Sequence, residues 1–145
     1  SASVGSITAK KNMFEIVAAH GIAYAATASI ANSADLLGKI NKAKSIDGTS
    51  YIHIFAPCPT GWGYDPSLTL DICRKAVNSG LWYLAEFENG TFSLNYDPGE
   101  FIPLSDYLSM QKRFSHFTEE MILSLQTHRD AKWREIRHVW KKMHA

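Results

Sequence analysis

The sequence predicts an α/β fold: a mostly parallel sheet with flanking helices, followed by a C-terminal helical tail. From residue 12 to residue 80, segments with helical periodicity alternate with short apolar or β-branched runs, as in sheets whose strands are connected by helices. A hairpin pattern then surrounds Asn89-Gly90, and helical periodicity returns after Asp97. With 145 residues, of which 46% are hydrophobic, the chain is long enough to bury a core.

The first predicted helix covers residues 12–20 and ends at Gly21, a residue favoured immediately after a helix. Residues 22–28 form an apolar run without helical gaps, which indicates a buried strand. A second helix begins at Asn32 or Ser33, either of which can cap it. Its buried face is predicted to consist of Leu36, Leu37 and Ile40, and its solvent side of Lys39, Lys42 and Lys44.

Residues 50–56 are the most β-like run of the chain and end before a proline, which breaks a strand. Prolines and glycines then predict a loop over residues 58–63. Asp65 and Pro66 suit the cap and the first position of a third helix, which Gly80 terminates. We expect this helix to bury a face made of Leu70, Cys73, Ala76 and Val77.

Residues 81–87 and 91–96 are predicted to pair as a β-hairpin across a turn at residues 88–90. A short helix is expected over residues 104–113. The last helix begins near Thr118, where Phe117 and Ile122 are spaced as a hydrophobic staple.

Asp97-Pro98-Gly99 divides the chain into residues 1–96, an α/β unit, and residues 97–145, a helical tail. The last helix combines basic residues with an apolar stripe, formed by Trp133, Ile136 and Trp140. Such a pattern favours docking on a neighbouring subunit, or on the flank of the same domain, over contact with nucleic acid.

The composition excludes several classes of protein. A net charge of +1 argues against disorder and against a dedicated nucleic-acid-binding protein. No stretch approaches the roughly 18 consecutive apolar residues of a membrane span. Two cysteines are too few for a disulfide scaffold. Residues 1–10 show no signal peptide and have the composition of a loop, so we expect a cytoplasmic protein.

Cys58 is the residue best suited to chemistry. It follows a predicted strand, at the end of the sheet where open α/β sheets bind ligands. Pro57 and Pro59 stiffen the backbone on both sides, and a thiolate held there can bind a metal or attack a substrate. The alternative is a small buried hydrophobic residue. Because the sequence contains no CxxC pair, its cysteines cannot complete a metal site by themselves.

The remaining candidates give no site. Cys73 shares the apolar face of its helix and is expected in the core. The six histidines form no HxxxH or HExxH pair. There is no Walker A, GxGxxG or GxSxG motif. No catalytic residue is therefore predicted in this chain.

Several segments resemble a known family. Residues 18–30 and the string Ala-Pro-Cys-Pro-Thr-Gly-Trp-Gly at residues 56–63 are similar to the thiamine-diphosphate-binding β subunit of pyruvate:ferredoxin oxidoreductases and related 2-oxoacid:ferredoxin oxidoreductases. The likeness continues through residues 86–90 and residues 107–114, so it covers nearly the whole chain. The string around Cys58 is its most specific part.

The resemblance implies part of an enzyme complex that oxidatively decarboxylates a 2-oxoacid, with pyruvate as the expected substrate and with thiamine diphosphate and magnesium as cofactors. Coenzyme A takes the acyl group to give acetyl-CoA and CO2, and electrons pass through 4Fe-4S clusters to ferredoxin. The implied partners are the other subunits, ferredoxin, coenzyme A and the 2-oxoacid. Residues 1–96 would then be the C-terminal half of the thiamine-diphosphate-binding domain.

In such subunits four cysteines hold a 4Fe-4S cluster, and Cys58 matches the last of them. The other three, and the Gly-Asp-Gly segment that holds magnesium and the diphosphate, are expected upstream of Ser1, so this chain alone is expected to be inactive. Two alternatives stay open. One is a non-catalytic α/β interaction domain of similar fold, and the other is an enzyme that uses Cys58 as a nucleophile, although no base for it can be identified.

Overall fold

A computed structural model describes residues 11–145 of the chain. Residues 1–10, for which the sequence predicts a loop and no signal peptide, lie outside the described residues. The helices are α1 (Met13–Ala19), α2 (Ser33–Ser45), α3 (Pro59–Trp62), α4 (Thr69–Asn78), α5 (Leu104–Leu108) and α6 (Glu119–Met143), and the strands are β1 (Tyr24–Ser29), β2 (Ser50–Phe55), β3 (Leu84–Glu88) and β4 (Thr91–Tyr96). Two short 3-10 turns, Pro66–Leu68 and Lys112–Phe114, precede α4 and follow α5. Within residues 11–145, no helix combines the length and the apolar character needed to cross a membrane.

The strands of the described residues form a single sheet in the order β2-β1-β3-β4. β1 and β2 are parallel, in a register that places Tyr24 opposite Ser50 and Ser29 opposite Phe55. β3 runs antiparallel to both β1 and β4. β1, β2 and β4 therefore run in one direction and β3 in the other. The predicted α/β class, with flanking helices and a C-terminal helix, is confirmed. The sheet is mixed, because β1 and β2 form a parallel pair whereas β1-β3 and β3-β4 are antiparallel.

The hairpin between β3 and β4 turns at Asn89 and Gly90, as the sequence predicts. Both residues have positive φ, +48° and +86°. Consecutive positive φ values match the right-handed twist of the two strands, and asparagine followed by glycine adopts them at little cost. A short hairpin of this kind brings β3 back beside β1 and completes the sheet.

One face of the sheet is covered by α1 and α6. Phe14 of α1 packs with Ala25 of β1, and Trp133 and Ile136 of α6 belong to the same core cluster. The apolar stripe predicted on the last helix thus lies on the sheet of its own chain. The division at residue 96 stays a prediction.

A second core cluster lies at the end of the sheet where β2 finishes. Ile72 of α4 packs there with Leu104 and Tyr107 of α5, and Phe55 of β2 contacts the cluster.

Tyr24 and Ala25 are consecutive residues of β1, so their side chains lie on opposite faces of the sheet. The face that carries Tyr24, opposite the one covered by α1 and α6, is covered by α2.

The prediction that Lys39 lies on the solvent side of α2 is wrong. Its side chain is only 2% exposed, whereas Leu37, which was expected to be buried, is 58% exposed. The ammonium group donates to the backbone oxygen of Thr27 at 2.8 Å and to Asp35 at 2.7 Å. A lysine can occupy this position because Asp35, one helical turn earlier, supplies the opposite charge.

Smaller differences concern the boundaries of other elements. The predicted loop at residues 58–63 contains the single helical turn α3, and the predicted helix at 104–113 divides into α5 and a 3-10 turn. In α4, Ile72 takes the buried position expected for Leu70, which is 45% exposed. The predicted caps Asp65 and Thr118 each accept a backbone hydrogen bond at a helix start.

Candidate functional site

Cys58 lies where the sequence places it, directly after β2. Pro57 is buried, and the next residue, Cys58, is exposed with a free thiol. Its backbone is extended and forms the N-terminal cap of α3, so that the Trp62 amide donates to the Cys58 carbonyl at 3.0 Å. The fold therefore presents one thiol at the end of the sheet, on a short and well-defined turn.

The turn is closed by backbone hydrogen bonds at its far end. The amides of Gly63 and Tyr64 both donate to the Pro59 carbonyl, at 2.9 and 3.2 Å. Gly63 has a φ of +71°, and a Cβ there would lie 2.8 Å from the Cβ of Lys112. Only glycine meets both conditions. A Cβ added at Gly61 would lie 3.4 Å from the sulfur of Cys58, which is an ordinary van der Waals contact, so Gly61 lies directly beside the thiol.

Arg113 packs against the Cys58 turn from a distant part of the chain. Its guanidinium carbon lies 3.5 Å from the ring centroid of Trp62, the last residue of α3. Phe55 packs against the same indole, with ring centroids 5.7 Å apart. Trp62 therefore contacts both the last residue of β2 and the guanidinium group.

Arg113 is itself held by two side chains. Its Nε donates to Gln111 at 2.9 Å and a terminal nitrogen donates to the Tyr107 hydroxyl at 3.1 Å. Gln111 is buried and donates to the Tyr107 carbonyl at 3.0 Å. Burial lowers the pKa of Arg113 and raises that of Tyr107. These residues lie in the segment 107–114, which is part of the family resemblance, but no spacing rule predicts that they contact the Cys58 turn.

The other candidate residues lie apart from this turn or in the core. Cys73 is fully buried, and burial raises the pKa of its thiol. His53 of β2 packs edge-on against Trp82, with ring centroids 4.9 Å apart. Over residues 11–145 the structure contains no group of three or more His, Cys, Asp and Glu side chains that could hold a metal ion. Within the described residues, Cys58 is therefore not part of a complete metal site.

A polar cluster under α2 was missed by the sequence analysis. The Glu86 carboxylate accepts hydrogen bonds from Tyr24 at 2.5 Å and Asn95 at 2.6 Å, and Lys42 lies 2.9 Å away. Burial opposes ionisation of Glu86, but these donors outweigh it and hold its pKa below the ordinary value. Burial, together with Glu86, raises the pKa of Tyr24. The cluster joins α2 to the sheet.

Curated proteins with related sequences include subunits named PorB and VorB. The pyruvate synthase subunit PorB of Methanothermobacter marburgensis is 47% identical over 135 residues, which cover 93% of this chain and 47% of the relative. The ketoisovalerate oxidoreductase subunit VorB of Pyrococcus abyssi is 42% identical over 130 residues, covering 88% of this chain and 42% of the relative. PorB of Thermotoga maritima is 35% identical over 137 residues, 91% of this chain and 42% of the relative.

The chain thus spans about half the length of the curated relatives it matches. A scan against models of protein families finds no match.

Proposed function

We propose that this chain, which matches about half the length of PorB and VorB subunits, is a counterpart of them and forms part of a 2-oxoacid:ferredoxin oxidoreductase. The observation that carries the proposal is 47% identity over 135 residues to a pyruvate synthase subunit. Pyruvate is the proposed substrate because the subunits named PorB include the more similar relatives. The proposed location is the cytoplasm.

The proposed reaction is the oxidative decarboxylation of pyruvate. The bond between the carboxylate and the carbonyl carbon breaks to give CO2, and the acyl group forms a thioester with coenzyme A. The electron pair left on the carbonyl carbon by the loss of CO2 would pass, one electron at a time, through 4Fe-4S clusters to ferredoxin. Thiamine diphosphate with magnesium would stabilise the negative charge that develops on that carbon. Other subunits of the complex complete the assembly.

Cys58 is the proposed link between this chain and a 4Fe-4S cluster. Clusters of this type are bound by cysteine thiolates, and Cys58 presents an exposed thiol at the end of β2. The chain's other cysteine, Cys73, is fully buried in the core and does not fit as a second ligand. The remaining thiolates, and the ligands of magnesium and the diphosphate, would therefore be supplied by parts of the subunit outside residues 11–145.

The residues of this chain act on that site by holding the thiol in place. Cys58 would provide one sulfur, and the proline on each side restricts the backbone that carries it. No residue described here is proposed to transfer a proton or to attack the substrate.

The experiment uses the complete complex that contains this chain. We expect it to reduce ferredoxin when both pyruvate and coenzyme A are present, and to show a 4Fe-4S signal in low-temperature electron paramagnetic resonance (EPR) spectra after reduction. In C58S a harder and rarely deprotonated oxygen replaces the thiolate. We expect the cluster signal to change and ferredoxin reduction to fall by at least about tenfold.

The matched control is C73S, which alters the buried cysteine. It should leave the cluster spectrum unchanged while lowering the free energy of unfolding by about 1–3 kcal/mol, because a hydroxyl replaces a thiol in the core. An unaltered signal and unaltered ferredoxin reduction in C58S would exclude Cys58 as a ligand. A complex with no activity toward any 2-oxoacid and no cluster would favour the non-catalytic interaction domain instead.

A further inference from the structure

The turn that carries Cys58 is fixed at its far end by Trp62. Trp62 donates its amide hydrogen to the Cys58 carbonyl, and its indole lies against Phe55. Movement of this indole would therefore alter the backbone that carries Cys58. A side chain that holds the indole in place therefore also affects the position of the Cys58 thiol.

The side chain that covers the indole is Arg113, and both aromatic rings and hydrogen-bond acceptors hold its guanidinium group. Its guanidinium group stacks on Trp62 at 3.5 Å and lies 4.4 Å from the Phe114 ring centroid. Gln111 and Tyr107, both buried, accept its hydrogen bonds. A planar guanidinium can stack on a ring and donate in its own plane at the same time, whereas a lysine ammonium cannot.

A backbone contact joins the same two segments. The Lys112 amide donates to the Gly63 carbonyl at 3.1 Å. The close approach of Lys112 to Gly63 leaves no space for a side chain at position 63. The segment around Arg113 and the Cys58 turn are therefore packed against each other through both backbone and side chains.

We propose that Arg113 is a positioning residue for the Cys58 thiol, an inference that rests on the proposed function of Cys58 as a cluster ligand. Arg113 holds Trp62 against Phe55, and Trp62 holds the turn that begins at Cys58. Groups that hold a ligand in the correct orientation increase the affinity of a metal site. A turn that fixes the Cys58 sulfur would therefore favour retention of the cluster. Arg113 acts through Trp62 and is not itself a ligand.

The first measurement is amide hydrogen exchange at residues 58–64 in the intact complex. In R113A we expect exchange there to be about tenfold faster, since a partly buried cation–π stack is lost. R113K should not restore protection, because an ammonium group lacks the plane and the fork of the guanidinium. The control R74A removes an exposed arginine that pairs with Asp71, and it should leave exchange at 58–64 unchanged.

The second measurement is the state of the cluster. In R113A we expect a changed EPR spectrum of the reduced cluster and about tenfold weaker retention of iron against a chelator. A variant that only lost general stability would keep the spectrum of the remaining clusters. If R113A prevents assembly, Y107F removes one acceptor of Arg113 and should accelerate the exchange by about threefold.

The outcomes separate the two proposals. Unchanged exchange and an unchanged spectrum in R113A would overturn the role of Arg113, as would full rescue by R113K. An unchanged spectrum in C58S would overturn the proposed ligand, whereas faster exchange in R113A would still establish that Arg113 holds the turn. Faster exchange together with an altered spectrum supports the inference.

Discussion

Lys39 is a charged residue that the fold holds in its interior. Its ammonium is paired with Asp35 and the Thr27 carbonyl, yet burial still lowers the pKa of Lys39 below the ordinary lysine value. The charged form is therefore less favourable in the folded protein than in the unfolded chain. Replacing a buried ion pair by apolar residues is often neutral or stabilising.

This shift has a definite consequence for stability as a function of pH. Between the lowered pKa of Lys39 and the ordinary lysine value, the unfolded chain binds more protons than the folded one, so this residue makes stability rise with pH in that window. We expect K39M to remove this rise. The test is urea unfolding of wild type and K39M at several alkaline pH values. Subtracting the two free energies of unfolding at each pH removes the contributions of the tyrosines, which both proteins contain.

The partner of Lys39 provides the control for that experiment. D35N leaves the buried ammonium without its carboxylate and should lower the free energy of unfolding by about 3–5 kcal/mol at neutral pH. If the free energies of unfolding of K39M and wild type depend on pH in the same way, Lys39 does not cause the rise in stability with pH. Equal stability of D35N and wild type would show that the ion pair is unimportant.

At the scale of elements, α6 is part of the core of this chain. Trp133 is 2% exposed, and its indole nitrogen donates to the Gly80 carbonyl at 2.8 Å. Gly80, two residues after α4, has a φ of +75°, so one hydrogen bond connects the segment that follows α4 to α6. The helix could be anticipated as an appendage from its position after the hairpin, but its packing follows from contacts between distant residues.

We expect W133A to lower the free energy of unfolding by about 3–5 kcal/mol, because it leaves a cavity and an unpaired carbonyl. Chemical denaturation measures this change. The control L123A lies on the same helix at a position 63% exposed, and its effect should stay within about 0.5 kcal/mol. A small loss in W133A would contradict the conclusion that α6 is part of the core of this chain.

The elements that the sequence predicted well are those with local signals. Gly21, Asp65, Thr118 and Asn89-Gly90 each act within a few residues, so they define helix ends and a turn without reference to the rest of the chain. The face of α2 was mispredicted because it depends on how that helix crosses β1 and β2. Lys39 finds its partners only in that geometry.

The candidate site shows the same limit. The location of Cys58 after a strand could be predicted, since ligands of α/β sheets lie at strand ends. The stacking of Arg113 on Trp62 could not, because it joins segments that are far apart in sequence and follows no periodic pattern. Tertiary contacts of this kind are determined by the packing of α3 against the turn after α5.

For the molecule as a whole, the two edges of the sheet differ. At the β4 edge the Phe92 amide donates to the sulfur of Met143 on α6, whereas β2 pairs only with β1 within the described residues. β2 contains no charged residue, and Ile54 on it is 40% exposed. Open strands without charges or prolines tend to pair with other chains.

We therefore expect the isolated chain to self-associate through β2, and I54K to reduce this association by adding a charge to the open strand. Light scattering of the purified 145-residue chain over a range of concentrations measures the effect. The control L123K places the same charge on an exposed position of α6 and should change little. Equal effects of the two substitutions would point to net charge rather than to the strand.

If Cys58 binds a cluster as proposed, its position directly after β2 makes cluster binding depend on what lies along the open side of that strand. A neighbouring strand that adds to the open side of β2 would bring its own loop beside Pro57, Cys58 and Pro59. Ligands carried by such a loop would reach Cys58 only after that strand had paired with β2. On the proposed function, the polypeptide would then fold before the cluster is inserted.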